Sequence, residues 1–246
     1  MIEISGTTTL VGLLRWPPSH SLSPRMQNAG FAALDLDWAY VPLPTPPEAL
    51  PDAVRGLVAT GFAGANVTIP HKEAVLPLCD ELDDVAARAG SVNTLVVRDG
   101  RVVGSSTDGA AVIDQIEADG RRALVLGTGG AAKAVAEALA HAGADVVMRG
   151  RHDTDWPPSG DGVDVLVNAT PVRDAVIVAP EPAMQVVDLT YEADGSPTAL
   201  VRAAREAGCE VVVDGLDVLL AQGVAAFERW TGIAAPVDAM RKALRA

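Results

Sequence analysis

A chain of 246 residues with 49% hydrophobic and 21% charged residues fits one large or two small domains with buried cores. Its net charge of −13 lacks the clustered cations that phosphate backbones and anionic membranes require, and an aromatic content of 4% offers no stacking platform for bases. Neither nucleic acid nor membrane is therefore an expected partner. Met1-Ile2-Glu3-Ile4-Ser5-Gly6 has no basic segment leading into an apolar one, and no window approaches the roughly 18 apolar residues of a membrane span, so a cytoplasmic protein is expected. Composition leaves monomer and homodimer open.

In chain order, Thr8 to Leu14 reads as a strand ending in Pro17-Pro18. Ser23-Pro24 offers an N-cap and an N1 proline for a helix to about Leu34. Trp38 to Leu43 is a short strand, and Pro47 to Ala59 a helical run closed by Gly61. Phe62 to Thr68 is strand-like, and residues 71–89 read as helical with a break near Asp80. Ser91 to Val97, Asp99-Gly100 and Arg101 to Gly104 form a hairpin, because the Asp-Gly pair suits a type I′ turn.

A helix from about Asp108 to Ala118 leads to a second unit. There Arg121 to Leu126, Gly143 to Met148, Val163 to Asn168, Gln185 to Leu189 and Cys209 to Val213 are apolar strands. They alternate with helices to His141 and near 197–207, while helices near 215–229 and 236–244 follow, so a parallel sheet covered by helices is expected. Residues 150–162 break the rhythm: Pro157, Pro158, Gly160 and Gly162 predict a loop in place of a crossover helix.

Two places carry chemistry. In Asn66-Val67-Thr68-Ile69-Pro70-His71-Lys72, a lysine follows a strand end, beside two polar side chains and a Pro70 suited to open a helix. That is where a general base or anion anchor would sit. Further on, Gly127-x-Gly129-x-x-Ala132 follows a strand and opens a helix, the setting in which this pattern binds a pyrophosphate. Gly127 permits the tight turn, Gly129 lets backbone approach the phosphates, and the helix start at Gly130 and Ala131 offers N–H groups. About 20 residues on, where NAD-binding units place an acid for the ribose 2′-hydroxyl, stand Arg149 and Arg151. A guanidinium pairs with a 2′-phosphate, so NADP is the expected cofactor. Cys79 and Cys209 lack redox or zinc spacing, His20, His71, His141 and His152 are scattered, and no metal is expected.

The chain resembles the shikimate dehydrogenase family. Ser21-Leu22-Ser23-Pro24 resembles its SxSP motif and residues 66–72 its NVTxPxK motif. Ser91 to Thr94 resembles AVNT, Thr107-Asp108-Gly109 NTDG, and Asn168 to Pro171 NATP. Gly215 to Gly223 is similar to a late GxxMLxxQ stretch, with Trp230-Thr231-Gly232 beyond it. The resemblance implies an α/β fold with an N-terminal α/β substrate domain and a C-terminal Rossmann-like NADP-binding domain. The corresponding spans are residues 1–107, with helices of 220–246 packing back on them, and 108–219. It implies Lys72 and Asp108 as the catalytic pair, and Ser21, Ser23, Asn66, Thr68, Asn93 and Gln222 as ligands of a shikimate-like carboxylate. Thr170, Tyr191 and Gly215 would lie near the nicotinamide. The implied reaction is reversible, NADP-dependent reduction of 3-dehydroshikimate. Quinate or aminoshikimate as substrate, and a non-catalytic metabolite-binding relative, stay open. The chain departs from the family pattern at Gln27, Ser106, Gly150, His152, Arg173 and Val218, mostly on the cofactor side.

Overall fold

The computed structural model describes residues 4–18 and 20–246; Met1, Ile2 and Glu3 of the N-terminal reading lie outside the described residues. The chain divides into two compact units, residues 1–107 with 220–246, and residues 108–219. Both are α/β.

The first unit is built on a mixed six-stranded sheet. Its strands are β1 (Thr9–Arg15), β2 (Trp38–Pro44), β3 (Gly64–Val67), β4 (Glu81–Leu82), β5 (Thr94–Arg98) and β6 (Arg101–Ser105), in the order β2-β1-β3-β5-β6-β4. β1 runs parallel to β2 and β3, and β5 antiparallel to β3 and β6. The β5–β6 hairpin turns on Asp99 (φ 52°) and Gly100 (φ 74°), the paired positive φ angles that its Asp-Gly predicts.

Helix α1 (Ser23–Ala33) begins one residue earlier than expected. Its N-cap is Leu22, whose side chain makes no capping bond; the Ser23 amide donates to Ser21 Oγ at 3.3 Å, and Ser23 is already helical, which removes the capping role assigned to that serine. Helix α2 (Leu50–Ala59), preceded by a 3-10 turn at Pro47–Ala49, buries Leu50, Val54 and Leu57 at i, i+4 and i+7. These join Leu14, Val67, Val75 and Leu95 in one core; burying each such side chain contributes about 1.5–3 kcal/mol.

The expected helix over 71–89 is largely absent. Only α3 (Asp84–Ala89) forms, capped by Asp83 accepting from the Ala86 amide at 2.7 Å. Residues before it make turns, a 3-10 segment at Leu76–Leu78 and β4. Pro70 sits after a cis peptide in a turn and opens no helix. Long-range bonds explain the difference. The buried His71 ring bonds the Thr45 carbonyl at 2.8 Å, and Asp80 pairs with Val102 through both backbone and side chain. Each bond rewards a non-helical path.

The second unit holds a five-stranded parallel sheet, β11-β10-β9-β7-β8. Its strands are β7 (Arg122–Leu126), β8 (Asp145–Arg149), β9 (Val165–Asn168), β10 (Gln185–Asp188) and β11 (Val212–Val213). β9 and β10 are buried throughout, as strands covered on both faces must be. Helix α4 (Asp108–Ile113), shorter than expected, packs on α5 (Gly130–His141), and α6 (Ala199–Ala207) packs on β10 and β11. The β8–β9 crossover has no helix; Trp156 and Val163 from that loop pack against the core in its place. Leaving β7, the chain first adds β8 on one side and later β9 on the other. That reversal opens a crevice at the carboxyl ends of the strands.

Helix α7 (Gly215–Thr231) spans the boundary between units, and α8 (Val237–Leu244) packs on α1. Within the first unit, Phe227 stacks on Phe31 at 5.1 Å, and the Trp230 indole donates to the Leu95 carbonyl at 2.9 Å. Gly64 leaves the room for that indole: a Cβ there would collide with the Leu95 oxygen and lie 2.6 Å from Trp230 Nε1. Among the described residues, no helix is long and apolar enough to cross a membrane.

Candidate active site

Of the polar residues expected to hold substrate, Asn66, Asn93 and the backbone of Gln222 form a connected set in the first unit. Asn66, at the end of β3, is 5% exposed. Its Nδ2 donates to the Asn93 carbonyl at 3.2 Å and to Thr94 Oγ1 at 3.1 Å, and its Oδ1 accepts from the Tyr40 hydroxyl at 3.0 Å. Asn93 Nδ2 donates to Thr107 Oγ1 at 2.9 Å, and Asn93 Oδ1 accepts from the Thr107 amide at 2.9 Å. Thr107 Oγ1 donates to the Gln222 carbonyl at 3.3 Å. The next carbonyl along α7, at Gly223, accepts from the buried Gln27 side chain at 2.9 Å. Gln27, one of the departures from the family pattern, thus ties the start of α1 to α7 beside Gln222.

Lys72 is half-buried, and its carbonyl accepts from the Val92 amide at 2.8 Å, one residue before Asn93. Asp108, 8% exposed, directly follows Thr107 in the chain. Thr68 is half-buried, its amide bonded to the Leu14 carbonyl at 3.1 Å, which fixes the strand end from which the lysine segment departs. Ser21 and Ser23 face one another with their hydroxyls 3.3 Å apart. Buried polar groups held in such a network lose rotational freedom, which suits them to reading hydroxyls and a carboxylate.

Tyr40, Thr94 and Thr107 also belong to this network, although the sequence motifs assign them no role in the site. Thr94 and Thr107 each stand within one of those motifs. Tyr40, on an apolar strand, gives no signal beyond that of a core aromatic.

In the second unit, the glycine-rich turn stands at the carboxyl end of β7. Gly127 has φ +118°, and a Cβ there would lie 2.9 Å from the Ala169 carbonyl, so only glycine passes. Gly129 is the N-cap of α5 and provides no side-chain acceptor for the first N–H groups of the helix. A Cβ placed on Gly129 would meet nothing within 4 Å. An uncovered turn with uncapped N–H groups at a helix start fits a pyrophosphate. Gly130 and Ala131 open that helix.

Asn168 and Thr170 lie across the turn, at the end of β9. Thr170 Oγ1 donates to Asn168 Oδ1 at 2.7 Å, and Asn168 Nδ2 donates to Asp188 Oδ1 at 3.0 Å. Asp188 is fully buried and also accepts from the Thr190 and Thr198 hydroxyls at 2.8 and 2.6 Å. It therefore organises both loops expected to flank the nicotinamide. Tyr191 is half-buried, its carbonyl 3.3 Å from the Arg173 guanidinium, which also pairs with Glu192 at 3.5 Å. Arg173 thus ties two loops together. Gly215 starts α7 against the Thr190 carbonyl, with no room for a Cβ.

The two expected readers of the 2′-phosphate differ. Arg151 is exposed, with its Nε 3.2 Å from the His152 ring. Arg149 ends β8 and donates from Nε to Asp155 at 2.7 Å. Cys79, pushed up to about 11 chiefly by burial and then by Asp80, stays a thiol at neutral pH; burial also raises Cys209.

Residues 15–95 match the shikimate dehydrogenase substrate binding domain, and residues 215–245 the shikimate 5′-dehydrogenase C-terminal domain. The NADP(+) shikimate dehydrogenase of Rubrobacter xylanophilus is 45% identical, over 98% of this chain and 97% of its own. The chain belongs to the shikimate dehydrogenase family. The crystal structure of shikimate 5-dehydrogenase from Thermus thermophilus in complex with NADP(H) and shikimate is similar at TM-score 0.84 and 32% identity, covering 96% of this chain and 98% of that one. A 5-ketofructose reductase of a Gluconobacter strain is also similar, at TM-score 0.84 and 28% identity, over 98% and 99% of the two chains. Family membership agrees with the α/β substrate-binding and NADP-binding units.

Proposed function

We propose that this chain catalyses the reversible NADP-dependent reduction of 3-dehydroshikimate to shikimate, with Lys72 and Asp108 as the catalytic pair. The observation that carries the reading is the bonded set Asn66–Asn93–Thr107. It begins at the strand end that leads to Lys72 and stops at the peptide before Asp108. NADPH supplies the hydride when bound. The Lys72 ammonium delivers the proton to the nascent hydroxyl and takes it back in the oxidising direction, while Asp108 orients that hydroxyl. Asn66, Thr68, Asn93 and Gln222 read the ring hydroxyls, and Ser21 and Ser23 the carboxylate. Gly127, Gly129, Gly130 and Ala131 would hold the pyrophosphate, Arg149 and Arg151 would meet the 2′-phosphate, and Thr170, Tyr191 and Gly215 would line the nicotinamide side. A cytoplasmic enzyme acting on a diffusible small molecule accords with this reading.

A second reading, a related substrate such as quinate or aminoshikimate, is favoured by Ser106. Its hydroxyl is buried and has no hydrogen-bond partner among the described residues, where the family pattern has an amide. The test is oxidation of shikimate, quinate and aminoshikimate by NADP+, followed by absorbance. Shikimate as the fastest substrate supports the first reading; quinate or aminoshikimate exceeding it selects the second.

Two sets of variants probe the assigned binding residues. Ser23 does not act as the N-cap, and its hydroxyl accepts from that of Ser21 at 3.3 Å, so the two serines act as a pair. Ser21→Ala and Ser23→Ala should each raise KM for shikimate by about tenfold or more, as expected for a hydrogen bond to a charged group. The thermal midpoint should barely change. Wild-type KM with lowered stability would make the serines structural. Arg151→Ala should raise KM for NADPH and leave that for NADH nearly unchanged; equal effects on both cofactors would assign the arginine another role.

A further inference from the structure

The end of β8 carries a cation already engaged by an acid. The Gly127 amide donates to the Arg149 carbonyl at 2.7 Å, which sets Arg149 directly beside the glycine-rich turn. A Cβ at Gly150 would lie 2.8 Å from the Thr128 side chain, so the two loops are in close contact. Asp155 lies in the loop that replaces the crossover helix, and its position is built in. Gly150 and Asp153 close a turn through a backbone bond at 2.9 Å and a side-chain bond at 2.8 Å. The Trp156 amide then bonds the Asp153 carbonyl at 3.3 Å, and the Trp156 ring packs against the sheet core. Between these anchors Asp155 meets the Arg149 guanidinium. A cavity of about 280 Å³ beneath the loop is lined by Leu124, Val147, Arg149, Asp155 and Pro158, so the pair stands over space and not over a packed helix.

We infer that Asp155 is a specificity-determining residue, which occupies Arg149 and thereby weakens the preference for NADP over NAD. The physical reason is competition. A phosphate monoester carries about −1.5 to −2 charges near neutral pH and needs a cation. At this strand end it must displace a carboxylate from Arg149 and lie near that carboxylate's charge. A ribose hydroxyl carries no charge and meets neither obstacle. The hydrogen bond from Arg149 holds the Asp155 carboxyl below the usual carboxylate range, so the acid is ionised at neutral pH. Arg149 and Asp155 side chains are 35% and 54% exposed, so solvent screening keeps the effect moderate.

The inference rests on the nucleotide-binding reading above, and calorimetry on the full chain without substrate separates the two. NADP+ and NAD+ are titrated into wild type, Asp155→Asn, Arg149→Ala and the double variant. Asparagine keeps the shape of the side chain and removes its charge. Asp155→Asn should bind NADP+ about three- to tenfold more tightly, with NAD+ changed by less than about twofold. The gain should vanish in the Arg149→Ala background, because Arg149 mediates it. If wild type binds NADP+ but Asp155→Asn binds it no better, or tightens NAD+ equally, the role of Asp155 is overturned and the nucleotide site stands. If the gain survives intact without Arg149, the competition account is wrong. A wild-type chain that binds neither nucleotide overturns the site itself, and this inference with it.

Discussion

Lys72→Ala should lower kcat by about 10² to 10⁴, the usual contribution of a positioned general acid or base, while shikimate affinity stays within a few-fold. The Lys72 backbone carbonyl accepts from Val92 at 2.8 Å, and that bond survives the substitution. The Asn66–Asn93–Thr107 set is held by bonds among its own members, so the binding surface should persist. Thermal midpoint and calorimetry with shikimate, run beside kcat, separate lost chemistry from lost fold. A variant turning over near the wild-type rate would remove Lys72 from the mechanism.

Asp188→Ala should be the most damaging change to the second unit. The carboxylate is fully buried and accepts from Asn168, Thr190 and Thr198 side chains and from the Thr190 amide. Removing it strands the buried Thr198 hydroxyl and takes an acceptor from the buried Asn168 amide and from the half-buried Thr190 at once. Each unsatisfied group costs about 1–3 kcal/mol, so a loss of about 3 kcal/mol or more is expected. Because Asn168 holds Thr170 and Thr190 precedes Tyr191, KM for NADPH should rise as well. Chemical denaturation checks the first effect and steady-state kinetics the second. Stability within about 0.5 kcal/mol of wild type would mean that the network contributes little.

How far such features can be read from sequence depends on whether their cause is local. The β5–β6 hairpin is legible because Asp99-Gly100 supplies positive φ within the turn itself. The β7 strand, the glycine turn and α5 are legible for the same reason, as is the helix-free loop at 150–162, where Pro157, Pro158, Gly160 and Gly162 act on their own backbone. The segment 71–79 is not. Its apolar residues suit a helix face, but His71 and Asp80 find partners at Thr45 and Val102, and those long-range bonds decide the path. Ser23 shows a one-residue version of the same problem, since an N-cap and the first helical position share residue types.

At the site, Lys72, Asn66, Asn93 and the glycines stand in contiguous motifs and can be picked out from sequence. Tyr40 and Asp188 act through partners 26 and 20 or fewer residues away, with no pattern of their own. Asp188 does leave a trace. A carboxylate ending the apolar run Val186-Val187 is out of place in a buried parallel strand unless it is paired, and the structure shows the pairing. The engagement of Arg149 by Asp155 is hidden from sequence because it depends on how an irregular loop folds back.

The most direct measurement is consumption of NADPH on addition of 3-dehydroshikimate, followed by absorbance with NADH run in parallel. The account predicts rapid turnover with NADPH, slower turnover with NADH, and reversal when shikimate and NADP+ are supplied. Absence of any absorbance change with 3-dehydroshikimate and either cofactor, from a folded protein, would contradict it.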